Sequence, residues 1–252
     1  MAVSLAACEG FMDRFHCEAI GDAGGRVTLT PEETRHMVAV RRVAVGHEVT
    51  LFDGAGTEAT GRVVSIDGRR EEVEVLAVRR AGDDTRCRVT VATALPKGPR
   101  AAALVRACTE IGAWRIQPMI CERSVVKPEH GKVIDRLCRA AREAAKQSRR
   151  AWVPEVMPVA TFAEVMEGLA DAKRLAILAD PAPDARPIRE VLQEHAGAPE
   201  AIVIIGPEGG FTDADRELAR RAGCAPVRVD GPVMRIETAC AALTALVLFA
   251  CS

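Results

Sequence analysis

Tyrosine is absent from this sequence of 252 residues, and phenylalanine and tryptophan are scarce. Broad stacking of aromatic side chains on nucleic-acid bases is therefore not an obvious binding mode. The longest apolar run, from Ala239 to Cys251, is too short to span a bilayer. The first residues lack a basic segment followed by a long apolar core, so we expect no signal peptide, and Met12 is an alternative start.

Metal-binding motifs are also missing. The nine cysteines show no C-x₂-C or C-x₄-C spacing, and no pair of histidines has the spacing of zinc ligands. Several cysteines stand among apolar residues, where cysteine behaves as a small hydrophobic side chain. The sequence therefore predicts a reduced cytoplasmic protein with no structural metal.

The charge is distributed unevenly along the chain. The net charge is only −1, but residues 86–154 carry 15 basic and 5 acidic side chains, a net charge of +10. Residues 1–85 carry a net −5 and residues 155–252 a net −6. A basic segment that extends over several elements indicates contact with a polyanion such as RNA, and a solvated helix face is the plainer alternative.

The most informative stretch covers residues 201–213. Ala201–Ile205 is short, apolar and rich in β-branched residues, which predicts a strand buried on both faces. A glycine loop follows at residues 206–210, and then Thr212 with Asp215 predicts a capped helix. In an open α/β sheet, ligands bind where such loops leave the carboxyl ends of strands. A tight turn without a ligand is the alternative, and the loop is neither a Walker A nor a G-x-G-x-x-G motif.

Two regions differ in their secondary-structure pattern. Residues 12–82 contain close strands joined by glycine turns, such as Asp67-Gly68, which predicts a small β-barrel, and residues 81–84 resemble a linker. Within this region, the capping box at residues 30–33 predicts a short helix through Val40. From residue 86 onward strands and helices alternate, which predicts an α/β domain with a mostly parallel sheet. A predicted helix at about 129–150 has one apolar and one cationic face. The last helix is so apolar that we expect it to be buried, either in the core or against a second subunit.

Several separated motifs resemble one family. They begin with His36–Arg41 and Leu95–Gly98, and end with Ile205–Phe211 and Met234–Ala239; between them stand Thr109–Gly112, Cys121–Ser124, Glu143–Arg150 and Val153–Pro154. In this order and spacing, from about Arg14 to the end, they resemble the RsmE family, the 16S ribosomal RNA (uracil-N3)-methyltransferases of the SPOUT superfamily.

The resemblance implies a fold and a cofactor. It implies a PUA-like β-barrel domain over residues 12–82, which binds RNA, and a SPOUT methyltransferase domain with a C-terminal trefoil knot over residues 86–252. It also implies a homodimer that binds S-adenosylmethionine in the knot. Thirteen residues are the implied cofactor site: Leu178, Ala179, Gly206, Pro207, Glu208, Gly209, Gly210, Val229, Gly231, Met234, Arg235, Thr238 and Ala239.

The reaction that this resemblance implies is methylation of N3 of a uridine in small-subunit ribosomal RNA, on the assembled subunit. We predict that Arg150 positions the substrate, with Gln147 on the same helix face, and that Arg235 is a second cation near the uracil. Glu237 is the candidate proton acceptor, and a salt bridge with Arg235 is its alternative role. The predicted RNA contacts are Arg14, Arg41, Arg123, Arg139, Lys146, Gln147 and Arg150, some of which have surface ion pairs as the alternative.

The sequence departs from the family at Val229-Asp230, where the family usually has Leu-Gly. Two other classes of function stay open. A non-catalytic RNA-binding protein of ribosome assembly would not need the glycine loop. A phosphate-binding or nucleotide-binding enzyme would use the loop for an anion, although Glu208 within the loop disfavours an anion there.

Overall fold

A computed structural model describes residues 12–66, 71–82, 87–127, 131–169, 174–182 and 184–251. The chain divides into two compact units between residues 82 and 83. Three of the predicted features lie outside the described residues: the turn at Asp67-Gly68, the second half of the linker and the beginning of the helix expected from residue 129.

The first unit is a five-stranded sheet with a short helical segment. Its strands, in the sheet order β1-β3-β4-β5-β2, are β1 (Arg14–His16), β2 (Arg26–Thr28), β3 (Glu48–Phe52), β4 (Thr57–Ile66) and β5 (Glu71–Arg80). The β1–β3 pair is parallel and the other pairs are antiparallel. Alternate residues of the strands point into one core that contains Phe15, Leu51 and Val73.

The helical segment between β2 and β3 differs in part from the prediction. Helix α1 (Pro31–Arg35) begins as expected, with Thr30 accepting a hydrogen bond from the Glu33 amide and Pro31 at the first helical position. The chain then widens into a π-helical turn, His36–Arg41. Its end is Arg42, which has a φ of 54°, so the α-helix expected through Val40 is five residues long.

The second unit alternates strands and helices. Its elements in chain order are β6 (Arg88–Ala94), α2 (Arg100–Ile111), β7 (Arg115–Ile120), α3 (Lys132–Ser148), β8 (Glu155–Val156), β9 (Ala160–Thr161), α4 (Phe162–Glu167), β10 (Leu175–Ala179), β11 (Arg186–Pro187), α5 (Ile188–Glu194), β12 (Glu200–Ile205), α6 (Asp213–Arg221), β13 (Ala225–Arg228) and α7 (Ile236–Cys251).

These strands form a parallel sheet that is covered on both faces. The sheet order is β11-β13-β10-β12-β6-β7-β8, and β9 pairs with β7. Strand β12 shows the two layers, because Val203 joins a core with α2, α3, α5 and α7, whereas Ile204 joins a core with α4 and α6. The predicted parallel α/β sheet is thereby confirmed, and so is the prediction that β12 is buried on both faces.

Helix α3 is shorter than predicted. It ends at Ser148 because Arg149 adopts a left-handed conformation, with a φ of 59°, and caps the helix. Arg150 therefore lies beyond the helix. The prediction that it shares a helix face with Gln147 is wrong. The core side of α3 is formed by small residues and Leu137, which is fully buried.

The last helix, α7, packs against α2, β6 and β12. Its core face includes Ile236, Leu243 and Val247, but Leu246 is 38% exposed and Phe249 is 79% exposed. The helix is therefore buried on one side within a single chain and presents apolar side chains on another. None of the helices in the described part of the chain is long and apolar enough to cross a membrane.

Candidate functional site

A pocket of about 230 Å³ lies where β10, β12 and β13 end. Its wall begins with Ala179 and Ile205, the last residues of β10 and β12, and is completed by the glycine loop and the beginning of α7. In a parallel α/β sheet, this carboxyl edge is the usual position of a ligand. The lining is mostly apolar, which suits a ligand with a large apolar surface.

The glycine loop approaches its surroundings too closely for larger residues. A Cβ atom on Gly206 would stand 2.9 Å from two ring atoms of Phe211, and the Phe211 side chain is 1% exposed. Phe211 is held in turn by Phe162, with 5.4 Å between the ring centroids. Glycine at position 206 therefore lets the loop fold over Phe211 and keep the pocket open.

Helix α6 anchors the other end of the loop. The Thr212 hydroxyl accepts from the Asp215 amide at 3.1 Å, and the Asp215 carboxylate accepts from the Thr212 amide at 3.0 Å. This reciprocal pair is the predicted capping box, and it is confirmed. The loop is thus fixed between a buried strand and a capped helix.

Arg123, which does not line the pocket, holds the glycine loop through its guanidinium group. It follows β7, and its Nη1 donates to the Gly209 carbonyl at 3.0 Å and to the Phe211 carbonyl at 3.4 Å. A Cβ atom on Gly209 would stand 3.2 Å from the Arg123 Cβ atom, a tight contact that a larger residue could make only if one of the two residues shifted by a few tenths of an ångström. Gly209 faces Arg123, whereas Glu208 and Gly210 line the pocket.

Arg100, at the beginning of α2, lies between two carboxylates of the site. Its Nη2 is 3.5 Å from Glu208 Oε1, and its Nη1 is 3.7 Å from Glu237 Oε1. The second oxygen of Glu237, Oε2, is buried and makes no hydrogen bond with the described residues. A buried carboxylate oxygen without a partner is costly, which makes Glu237 a candidate for contact with a ligand.

A second ion pair borders the pocket next to the end of β10. Asp180 is 3% exposed and accepts from Arg216 Nε at 2.6 Å, while Arg216 Nη1 donates to Asp213 at 2.9 Å. The hydrogen bond with Asp180 is the main cause that raises the pKa of the Arg216 guanidinium. Among the described residues, no group of three or more His, Cys, Asp or Glu side chains could hold a metal ion.

The pocket brings together nine of the thirteen residues predicted for the cofactor. They are Ala179, Gly206, Pro207, Glu208, Gly210, Val229, Gly231, Met234 and Ala239. Four others, Leu178, Gly209, Arg235 and Thr238, do not line it. Asp180 and Phe211 line the pocket but were not among the predicted cofactor residues. The position of Asp180 directly after a buried strand was a signal that could have identified it. The sequence analysis also missed Leu243, which lies one helical repeat of seven residues after Ile236.

Two of the arginines predicted to contact RNA face the protein interior. Arg150 is 9% exposed, and its Nη1 donates to the carbonyls of Thr109 at 2.9 Å and Ala113 at 3.1 Å. In the first unit, the Arg14 side chain pairs with the buried Glu58 at 2.5 Å. These contacts hold both side chains within their own unit, and the predicted contacts of Arg150 with the substrate and of Arg14 with RNA stay predictions.

The remaining predicted RNA contacts lie nearer the surface of their own unit. Arg41 pairs with Asp13 through its Nε atom at 2.5 Å and stays half exposed. On α3, Arg139 and Gln147 are exposed and Lys146 is partly exposed. The positive segment therefore presents polar and cationic side chains along one side of α3.

Comparisons with known proteins agree with this architecture. Residues 83–248 match the family model described as RNA methyltransferase domain, and residues 29–76 match the one described as RNA methyltransferase PUA domain. The two matches and the observed fold define the class: an α/β RNA methyltransferase domain together with a PUA-like domain.

Individual relatives narrow this class. The ribosomal RNA small subunit methyltransferase E of Synechocystis sp. is 32% identical over 213 residues, which cover 84% of this chain and 69% of the relative. The chain belongs to the RsmE family of ribosomal RNA small subunit methyltransferases, and the resemblance predicted from the motifs is thus confirmed.

Two solved structures with bound cofactor have the same fold. The RsmE structure from Neisseria gonorrhoeae, bound to S-adenosyl methionine, is 27% identical, with a TM-score of 0.85 over 94% of this chain and 96% of that one. A methyltransferase structure from Legionella pneumophila in complex with the same cofactor is 25% identical, with a TM-score of 0.88 over 95% of this chain and 98% of that one.

Proposed function

We propose that this protein transfers a methyl group from S-adenosylmethionine to N3 of a uridine in small-subunit ribosomal RNA. The observation that carries the proposal is the pocket at the carboxyl edge of β10, β12 and β13, in a chain of the RsmE family. We also propose that the protein works in the cytoplasm.

The residues of the pocket fit the chemistry of this cofactor. Apolar side chains such as Ile205, Val229 and Leu243 provide the surface that an adenine needs, and the glycine loop brings backbone donors and acceptors close to it. Glu208 and Asp180 border the pocket, and their carboxylates favour a sulfonium cation over a phosphate. When bound, S-adenosylmethionine supplies an electrophilic methyl group.

Glu237 and Arg235 are the residues that we propose for the reaction itself. The N3 nitrogen of uracil carries a proton that has to leave. The acceptor that we propose is the carboxylate of Glu237, whose side chain is 20% exposed and whose Oε2 makes no hydrogen bond with the described residues. Arg235 is exposed two residues earlier and would stabilise negative charge that develops on the uracil oxygens. Arg150 supports the site indirectly, because it ties the end of α3 to the end of α2.

We also propose that the C-terminal part of the second unit forms the trefoil knot that the family resemblance implies. Strand β13 pairs with β10 on the side away from β12, and α7 then returns to pack against β12 and β6. This path brings residues 229–239 back over the carboxyl edge of the sheet. It is compatible with a chain that passes through its own loop.

A second copy of the chain is the partner that we propose for the exposed face of α7. Leu246 and Phe249 lie on this face together with Ala245, which is also exposed. Large apolar side chains at this spacing on a helix are expected to be covered in a stable protein. A homodimer through α7 would cover them.

The RNA contacts that we propose are cationic and polar residues of both units. In the second unit they are Arg123, Arg139, Lys146 and Gln147, which belong to the segment with a net charge of +10. In the first unit, Arg41 is a further proposed contact. Such side chains bind phosphates mainly through charge, so we expect RNA affinity to fall steeply with salt concentration.

The test is methyl transfer from labelled S-adenosylmethionine to small ribosomal subunits that lack the modification, with the labelled base identified by mass spectrometry. We expect a single 3-methyluridine, a strongly reduced rate in Glu237→Gln and Arg235→Met, and an unchanged rate in Arg189→Met. Arg189 is exposed on α5 and does not line the pocket, which makes it a matched control. If the protein binds the cofactor but does not label the RNA, the proposed substrate is wrong. If it neither binds the cofactor nor labels the RNA, a non-catalytic assembly protein becomes the favoured function.

A further inference from the structure

Arg123 occupies an unusual position beside the glycine loop. It lies in a tight turn after β7, in which the Ser124 hydroxyl accepts from the Cys121 amide at 2.9 Å and the Ser124 amide donates to the Cys121 carbonyl at 3.0 Å. Both Cys121 and Ser124 are buried, so the backbone that carries Arg123 is well fixed. The residue is nevertheless exposed.

The hydrogen bonds of Arg123 use only one of its three nitrogens. Nη1 carries two hydrogens, and it donates to two carbonyls, those of Gly209 and Phe211. An arginine has five N–H donors in a planar fork. The other three N–H donors, one on Nε and two on Nη2, make no hydrogen bond with the described residues.

The unused donors form the edge with which arginine binds phosphate. Nε and Nη2 present two parallel N–H groups, and this pair matches two oxygens of a phosphate in a bidentate contact. The surrounding segment is strongly positive, with a net charge of +10 over residues 86–154. A phosphate at this edge would therefore meet the guanidinium charge and a pair of donors that make no hydrogen bond with the described residues.

We propose that Arg123 couples RNA binding to cofactor binding: Nη1 holds the glycine loop, while the Nε–Nη2 edge binds a phosphate of the RNA. Both contacts use the same position of the guanidinium group, the one that places Nη1 beside the Gly209 and Phe211 carbonyls. A phosphate that fixes this conformation lowers the entropy cost of holding the loop, and a loop fixed by the cofactor presents the edge to the phosphate. This inference rests on the proposed function.

The coupling has a thermodynamic signature. If RNA tightens cofactor binding by a given factor, the cofactor tightens RNA binding by the same factor. S-adenosylhomocysteine serves as the cofactor probe because it cannot react. We expect unmodified small ribosomal subunits to increase the affinity of the wild-type protein for S-adenosylhomocysteine by on the order of fivefold, measured by isothermal titration calorimetry.

Two variants of Arg123 separate the coupling from simple support of the loop. Arg123→Met removes both edges, so we expect weaker S-adenosylhomocysteine binding and no effect of RNA on it. Arg123→Lys keeps the charge on a single nitrogen that cannot present two edges, so we expect RNA binding to be partly retained and the coupling to be lost. The matched control is Arg136→Met, an exposed cation of α3, which should weaken RNA binding and leave the coupling factor unchanged.

The outcomes distinguish this inference from the proposed function. A wild-type protein that methylates RNA but whose affinity for S-adenosylhomocysteine does not change with RNA would overturn the inference alone. The same coupling factor in Arg123→Lys as in the wild type would also overturn it, and this variant preserves the charge in case Arg123→Met fails to fold. A wild-type protein that does not bind S-adenosylhomocysteine would overturn the proposed function and the inference together.

Discussion

Replacement of Gly206 by alanine tests whether close packing keeps the pocket open. The new methyl group would stand 2.9 Å from Cε2 and Cζ of Phe211, whereas carbon atoms prefer a separation of about 3.5–4.0 Å. Phe211 is 1% exposed and packs against Phe162, so its ring has no free space to enter on that side. One of the two elements, the loop or the ring, has to move.

The size of the effect follows from overpacking of a buried site. An extra methyl group in a well-packed core costs about 1–3 kcal/mol. For a domain of this size, about 2 kcal/mol corresponds to a decrease in Tm of roughly 4–8 °C. Because Phe211 also lines the pocket, we expect the Kd for S-adenosylmethionine to increase by on the order of tenfold, the equivalent of about 1.4 kcal/mol.

Tryptophan fluorescence is a suitable assay because both tryptophans of the chain, Trp114 and Trp152, belong to the second unit. Thermal unfolding followed in this way reports on the unit that contains the pocket, and calorimetry gives the Kd. The control is Gly168→Ala, whose new Cβ atom would stand 3.6 Å from its nearest neighbours, an ordinary contact distance. We expect that control to change the unfolding free energy by no more than about 1 kcal/mol.

A double variant makes the reasoning refutable. If the methyl group acts through the Phe211 ring, Gly206→Ala combined with Phe211→Leu should lose less stability than the sum of the two single changes, because the smaller side chain makes room. Additive losses would show that the ring is not the obstacle. An unchanged Tm and Kd in Gly206→Ala would refute the argument from close packing altogether.

Three further predictions concern other parts of the molecule. Arg150→Met should lower the unfolding free energy by about 2–4 kcal/mol, because it leaves two buried carbonyls without their donor. Calorimetry would measure this loss, and an equally stable variant would contradict the role of Arg150 in holding these carbonyls. Phe249→Asp should convert a dimer to a monomer in analytical ultracentrifugation, whereas Val45→Asp, at an exposed position of the first unit, should not; a dimeric Phe249→Asp protein would contradict the proposed interface. Burial raises the pKa of the Cys17 and Cys121 thiols to about 12 from an ordinary 9.0. These thiols therefore lose their protons at a lower pH in the unfolded chain than in the folded one, and the unfolding free energy should fall from pH 9 towards pH 12. Denaturant titrations at both ends of this range would check the direction of the change.

Local elements were predictable because they depend on signals that lie close together in the sequence. The end of α2 at Ile111, just before Gly112, and the capping box of α6 follow from caps and apolar periodicity within a few residues. Strand β12 is an uninterrupted apolar run, which predicts burial on both faces without any knowledge of its neighbours. The family, too, is recognisable from motifs whose order and spacing are properties of the chain alone.

The roles of the arginines were not predictable in this way. An arginine beside a motif has the same sequence signature whether it contacts RNA, stacks on its own domain or caps a helix. Arg150 turned out to be buried because Arg149 ends α3 in a left-handed conformation and directs the next residue inward. The Arg14 side chain is only 10% exposed and pairs with Glu58 on β4, which lies two strands away in the sheet and 44 residues away in the sequence.

The sequence by itself determined the class of fold, the glycine loop and the family, since hydrophobic periodicity, caps and glycines act over one or two turns of the chain. Only the tertiary structure decided that Glu208 and Gly210 of the loop line the pocket. It also decided that Arg100 lies between Glu208 and Glu237. It also revealed that Arg123 holds the loop while its Nε–Nη2 edge makes no hydrogen bond with the described residues. The physical reason is that these contacts join residues 86 to 137 positions apart, which come together only when parallel strands align their carboxyl ends at one edge of the sheet.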